Sequence, residues 1–255
     1  MKYEVKEDKG FRYIEEGEGE VLLLLHGLFG GASNFDVLID NFKSKYKVVL
    51  PLLPIFELPV LDASLSGLVK FTKRFVRHKG FDYVTPLGNS LGGHIALMYA
   101  LDKPEKVKSI VLTGSSGLYE KSLGDTFPKR GNYEFIKERT EYTFYDPQTA
   151  SKALVDEIYE SVNNRGKAIR IISTAKSAIR NNLGKKLYKL QMPVLLIWGK
   201  NDNITPPFVG EEFLSLLPNA ELEIIDKCGH APMMERPDEF SRILENFLER
   251  VYATT

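Results

Sequence analysis

Ser90 stands in the run Gly88-Asn89-Ser90-Leu91-Gly92, between a short stretch of strand character, Tyr83 to Leu87, and a helical one, Gly93 to Ala100. A serine on so sharp a strand-to-helix turn takes a strained backbone conformation, and small residues are needed two positions to either side. Glycine stands at both places. This geometry raises the hydroxyl above the sheet edge, sets it at the positive end of a helix and leaves the next N–H free for an oxyanion. An ordinary glycine turn is the plainer explanation of such a pentapeptide, so its partners decide. A serine nucleophile needs a base within hydrogen-bond reach and a third group that holds the base. The chain has four histidines. His78 ends a charged amphipathic segment, Lys70 to Lys79, and reads as a solvated helix end. His94 lies four residues past Ser90 on the same helix, so it fits a packing or lining role rather than proton transfer. His26 precedes Gly27 in a loop and fits a structural role, pinning that loop by its ring nitrogens. His230, in Cys228-Gly229-His230-Ala231-Pro232 after the strand Leu222 to Ile225, is left as the candidate base.

The acid follows from the same reasoning. Val194 to Trp198 is a continuous apolar run that suits a buried parallel strand, and Asp202 lies in the loop at its carboxyl end. A loop-capping aspartate among Asn201, Asp202 and Asn203 is the alternative. In open parallel sheets catalytic groups collect at the carboxyl ends of strands, which lets Ser90, Asp202 and His230 meet across long sequence separations. Another buried run, Val21 to Leu25, leads into His26-Gly27-Leu28-Phe29-Gly30-Gly31. A loop after such a strand supplies one oxyanion N–H, with Leu28 the first candidate and Phe29 the second; Leu91 supplies the other.

Taken together, His26-Gly27, Gly88 to Gly93, Trp198-Gly199 with Asp202, and Gly229-His230 resemble the α/β-hydrolase family over almost the whole chain. The order Ser, Asp, His is that family's order. The resemblance implies one α/β domain: a mostly parallel twisted sheet flanked by helices, with a core over 1–116 and 189–255 and a helical lid inserted over about 117–188. It also implies hydrolysis of a carbonyl substrate through Ser90, His230 and Asp202, without metal or cofactor. Relatives with an aspartate nucleophile are set aside because position 90 is serine. One departure stands out: many relatives carry a glycine-rich turn where this chain has Leu53-Pro54-Ile55-Phe56-Glu57.

The elements needed to position these groups are visible. Tyr3 to Glu15 reads as a hairpin turning at Asp8-Lys9-Gly10. Parallel strands are expected at 21–25, 47–50, 83–87, 109–113, 193–198 and 221–225, and Pro237 opens a last helix with one apolar face from Phe240 to Val251. At 255 residues the chain can bury one large core. The 34 basic and 34 acidic residues give no general drive toward nucleic acid or membrane. There is no apolar run of membrane-spanning length. A single cysteine, Cys228, excludes an internal disulfide and reads as a packed residue. Met1 to Val5 has no apolar signal core, so a cytoplasmic protein with a small-molecule substrate is expected, and assembly as a homodimer stays open.

The inserted segment carries the substrate information. Residues 119–145 hold seven aromatics (Tyr119, Phe127, Tyr133, Phe135, Tyr142, Phe144, Tyr145), which suit an apolar pocket. From Arg165 to Lys189 there are eight basic residues and no acidic one. A solvated face explains most such runs. The functional alternative is that Arg170 or Arg180 grips a substrate carboxylate. The lid segment, the Gly88-Asn89-Ser90 turn and Lys227-Cys228-Gly229-His230 look most like the meta-cleavage-product hydrolases, which split a carbon–carbon bond in a carboxylate-bearing dienoate. The oxyanion loop of those relatives usually differs from His26-Gly27-Leu28-Phe29. A hydrolase of small or medium carboxylic esters is the leading expectation, the carbon–carbon hydrolase the alternative, and a ligand receptor on the same scaffold the third.

Overall fold

The structure is a computed structural model that describes residues 2–119 and 131–253. Its inner strands are the apolar runs: β3 (Val21–Leu25), β5 (Thr85–Asn89), β6 (Ile110–Thr113) and β7 (Val194–Gly199) are buried along their whole length. That is what strands covered by helices on both faces require. A hairpin of β1 (Lys6–Asp8) and β2 (Phe11–Glu16) turns through Lys9 and Gly10, both at positive φ. It joins β4 (Lys47–Pro51) antiparallel, and β8 (Ala220–Ile225) closes the far edge. The order is β1-β2-β4-β3-β5-β6-β7-β8, and every pair from β4 onward is parallel.

The period-two alternation of β3 divides the core. Leu23 and Leu25 face one layer with α2 (Leu65–Lys79), α3 (Leu91–Asp102) and α7 (Pro207–Leu216), where Leu68, Ile95 and Phe213 are buried. Leu22 and Leu24 face the other, against α1 (Asp36–Phe42) and α9 (Pro237–Ala253), where Leu38, Phe240 and Leu244 are buried. Each such leucine contributes about 1.5–3 kcal/mol by leaving water.

The strand expected at 83–87 lies two residues later. Tyr83 is exposed, whereas Gly88 and Asn89 pair with Leu112 and Thr113. The sheet therefore carries the chain up to the residue before Ser90. Between β6 and β7 lie α4 (Tyr133–Glu141), α5 (Lys152–Asn163) and α6 (Arg165–Arg180), each opened by a capping side chain, Asn132, Ser151 or Asn164. These helices fall within the stretch expected as an insertion, about 117–188, of which 120–130, with Phe127, lie outside the described residues. The insertion is tied to the core where the Leu65 N–H donates to Ser177 Oγ of α6 at 3.2 Å. Among the described residues no helix is long and apolar enough to cross a membrane.

Candidate active site

Ser90 is the single residue between β5 and α3, at φ 55° and ψ −118°. A non-glycine residue there costs on the order of 1–3 kcal/mol and persists only when its surroundings over-determine it. The surroundings do so. A Cβ on Gly88 would lie 2.4 Å from the Gly92 backbone, and one on Gly92 would lie 1.9 Å from the Leu25 carbonyl oxygen. The Ser90 N–H donates to Thr113 O at 3.1 Å, and Ser90 O accepts from the N–H groups of Gly93 and Ser116. Across the cleft, a Cβ on Gly27 would sit 3.4 Å from Ser90 Cβ, so the loop after β3 lies against the serine.

The residues expected as acid and base come together at the carboxyl edge of the sheet. His230 Nδ1 is 2.9 Å from Asp202 Oδ2. Asp202 is buried, and its other oxygen accepts the N–H groups of Ile204 and Thr205 at 2.8 and 2.9 Å. Thr205 Oγ1 donates to Oδ2 at 2.9 Å, and Thr205 is itself held through its carbonyl by Trp198 Nε1 at 2.8 Å. An ionised carboxylate is an acceptor only, so His230 carries its proton on Nδ1 and leaves Nε2 as the basic nitrogen. The His230 backbone is fixed as well: its carbonyl accepts from Asn89 Nδ2 at 3.1 Å, and its N–H donates to Thr143 O at 3.0 Å. Gly114, at φ +50°, leaves room for the ring, because a Cβ there would lie 2.8 Å from His230 Nδ1.

Ser90 and His230 line one cavity of about 240 Å³. Its near wall is Gly27, Leu28 and Phe29. Leu91 is the first residue of α3, and its N–H is one of those an α-helix leaves without an intrahelical acceptor. The far wall comes from the insertion: Phe135 and Arg139 of α4, Ile158 and Val162 of α5, Ile171 and Ala175 of α6. Of the seven aromatics, Phe135 and Phe144 line the cavity, whereas Tyr119 packs edge-on against Phe208 and Tyr142 and Tyr145 are exposed. Phe56, from the segment that replaces a glycine-rich turn, packs against the buried Ile136, Val162 and Ile171 cluster of the insertion.

Arg170 and Arg180 are not brought to the cavity. Arg170 spends its guanidinium on Leu58 O at 2.7 Å and Gly166 O at 3.0 Å, and Arg180 lies on the exposed face of α6, bonded to Lys176 O. Most of the basic run is a solvated face. Among the described residues, the Lys or Arg side chain that lines the cavity is the half-buried Arg139, whose guanidinium lies 5.2 Å from the Tyr142 ring centre. The sequence did contain a signal for it: Phe135, Ile136, Arg139, Thr140 and Thr143 recur at helical spacing, so the arginine shares a face with apolar residues. Thr205 and Glu235 carried none.

The other histidines occupy structural positions. His26 accepts the Leu53 N–H on Nε2 at 3.0 Å and places Nδ1 2.9 Å from Gly27 O, joining the loops after β3 and β4. Burial holds its pKa below the ordinary value. His94 is fully buried, with Nε2 2.9 Å from Asn181 O, and burial pushes its pKa down to about 4. His78 pairs with Asp8 at 2.7 Å and stacks on Phe11. Cys228 is buried, which drives its thiol pKa well up. Among the described residues no group of three or more His, Cys, Asp or Glu side chains could hold a metal ion.

A family model described as alpha/beta hydrolase fold matches residues 62–237. A 2-hydroxy-6-oxononadienedioate/2-hydroxy-6-oxononatrienedioate hydrolase of Pseudomonas sp is 30% identical over 257 residues, covering 92% of this chain and 90% of that protein. A 2-hydroxy-6-oxo-6-phenylhexa-2,4-dienoate hydrolase of Comamonas testosteroni is 26% identical, covering 93% of this chain and 91% of the relative. Among solved structures, an alpha/beta hydrolase enzyme from the metagenome of sediments of the lagoon of Mar Chica, Morocco, is 44% identical with a TM-score of 0.81, covering 97% of this chain and 98% of that one. With its strand order, its serine turn and these similarities, the chain belongs to the α/β-hydrolase family and is a hydrolase.

Proposed function

We propose that the protein hydrolyses the carbon–carbon bond beside a ketone in a carboxylate-bearing ring-cleavage product, with Ser90 as nucleophile, His230 as base and Asp202 as the group that orients it. The observation that carries this reading is Arg139 in the otherwise largely apolar wall of the cavity shared by Ser90 and His230. Guanidinium groups recognise carboxylates through a planar fork, and Arg139 also keeps contacts within the protein, among them the Tyr142 ring at 5.2 Å. The similar dienedioate and dienoate hydrolases support the same substrate class.

In this mechanism His230 takes the Ser90 proton and Oγ bonds to the ketone carbon. The N–H groups of Leu28 and Leu91 hold the oxyanion. The 2-hydroxy-dienoate first tautomerises, losing its 2-OH proton and gaining one at the carbon beside the ketone; collapse of the serine adduct then breaks the carbon–carbon bond, and the electron pair is delocalised into the 2-oxo-acid end of the departing fragment, which takes the proton from His230. Water, deprotonated by His230, then releases the acyl group from Ser90 as a carboxylic acid. The insertion of α4, α5 and α6 acts as the lid that keeps bulk water from this sequence.

Ester hydrolysis is the second reading, favoured by the apolar lining that Phe135, Ile158 and Ile171 provide. It uses the same groups but needs no electron sink, since an alkoxide can leave directly. The deciding experiment compares 2-hydroxy-6-oxo-dienoates, with one and two carboxylates, against nitrophenyl esters, using wild type and Ser90→Ala. Turnover of the dienoates by wild type alone supports the first reading; rapid ester turnover with inert dienoates selects the second. A Ser90→Ala protein that still turned over either class would overturn both.

A further inference from the structure

His230 is held from one side by a group outside its hydrogen-bonded pair with Asp202. Glu235 lies in α8 (Pro232–Glu235), five residues after the histidine. Its Oε1 accepts the Gly229 N–H at 2.9 Å and its Oε2 accepts the Tyr145 N–H at 2.7 Å. The backbone N–H groups of Ala231 and Asp146 also favour the charged form of this carboxylate. It therefore binds Gly229, the residue before His230, and Tyr145, in the link between α4 and α5. The two segments touch directly: a Cβ on Gly229 would lie 2.7 Å from Thr143 O and 2.8 Å from Tyr145 N. Thr143 in turn accepts the His230 N–H, and Thr143 and Phe144 line the cavity. Burial raises the Glu235 pKa while the N–H groups oppose that shift.

We propose that Glu235 is a positioning residue that makes the placement of His230 conditional on the docking of the helical insertion, because one carboxylate holds both. An insertion that lifts at Thr143 to Asp146 takes one of the carboxylate's two hydrogen-bond partners, Tyr145, and the acceptor of the His230 N–H with it. The base is then loosened when the cavity is open and fixed when it is covered. This inference rests on Ser90 and His230 being the reacting pair.

The test uses Glu235→Gln in the full chain, since an amide can accept from one arm but turns its NH₂ toward the other. Two probes that need the Ser90–His230 pair and no substrate carboxylate are measured: hydrolysis of p-nitrophenyl acetate and sulfonylation by phenylmethylsulfonyl fluoride. The expected result is a fall of roughly 10-fold or more in kcat and in the sulfonylation rate, with KM within about twofold, as a small misplacement of a base produces. Amide exchange should rise together over 143–146 and 229–231. Glu235→Asp, which keeps the charge but falls a methylene short, should lie between wild type and Glu235→Gln. If Glu235→Gln does not fold, Glu235→Asp carries the same measurements, with a loss of about threefold expected for a smaller displacement. Wild-type kcat and sulfonylation in a folded variant would overturn the proposal, as would a kcat loss with exchange at 229–231 unchanged. Ser90→Ala separates the two readings: if it is inert to both probes while the Glu235 variants behave as wild type, only the role of Glu235 fails.

Discussion

Oδ2 of Asp202 lies 2.9 Å from Nδ1 of His230, while Oδ1 of the same buried carboxylate is occupied by the Ile204 and Thr205 N–H groups. The carboxylate cannot rotate without losing those two bonds, so the imidazole meets a fixed acceptor. Asp202→Asn can keep the backbone contacts through its carbonyl oxygen, but its NH₂ then faces Nδ1 and enforces the wrong tautomer. The expected outcome is a kcat loss of roughly 10³–10⁴-fold with melting temperature nearly unchanged. Steady-state kinetics beside a thermal melt checks it, and a loss below tenfold would remove Asp202 from the mechanism.

Arg139 separates the two substrate readings. A charge-assisted hydrogen bond to a carboxylate contributes about 1.5–3 kcal/mol, so Arg139→Ala should lower kcat/KM for a dienoate by roughly 10- to 150-fold. The same variant should hydrolyse an uncharged nitrophenyl ester within about threefold of wild type, because the ester makes no such bond. Equal losses on both substrates would mean that the residue supports the wall rather than the carboxylate.

How much of this could be read from residues alone varies with the distance over which each feature is determined. The buried strands and the serine turn were legible because five consecutive leucine or valine positions, or a glycine two places either side of Ser90, are local patterns with one structural meaning. Asp202 and His230 could be expected at one sheet edge because Asp202 follows the apolar β7 and His230 follows β8, where apolar and acidic residues alternate, and sheet topology does the rest. The cation of the cavity was legible only in part: helical spacing puts Arg139 on one face with Phe135 and Ile136, but nothing local points that face at the cavity. Arg170 sits on a helix with the right charge and the right sheet edge nearby, yet its guanidinium is taken by the carbonyls of Leu58 and Gly166, which are set by packing between distant segments. Glu235 escaped notice for the same reason: its partner at Tyr145 is 90 residues away.

His94 gives the acid side of the stability profile a definite sign. Its pKa is about 4 in the folded chain against about 6.5 unfolded, so between these values the unfolded state binds the extra proton. Stability from this group is therefore complete above about pH 6.5 and is lost as pH falls toward 4. His26, also held neutral by burial, acts in the same direction. Urea unfolding of wild type and His94→Gln from pH 7 to 4 should show the variant's profile flatter by up to about 1.4 kcal/mol per pH unit. Parallel profiles would show that His94 does not change its protonation on unfolding.

The closeness of the serine turn to the sheet sets the last expectation. At Gly92 a Cβ would fall 1.9 Å from the Leu25 carbonyl oxygen and 2.9 Å from that of His26, both backbone atoms of the strand and loop that flank Ser90. Neither can move without disturbing β3 or the loop that carries Leu28, so Gly92→Ala must push α3 off the sheet. The cost should exceed about 4 kcal/mol, at the upper end of single substitutions, and in a marginally stable chain that leaves little folded protein. Gly31 is the matched control: nothing lies within 4 Å of its added Cβ, and its φ of −125° suits any residue. Gly31→Ala should melt within about 0.5 kcal/mol of wild type and keep its activity. If Gly92→Ala folded and turned over substrate as Gly31→Ala does, the turn would be looser than these distances require, and the strain at Ser90 would need another source.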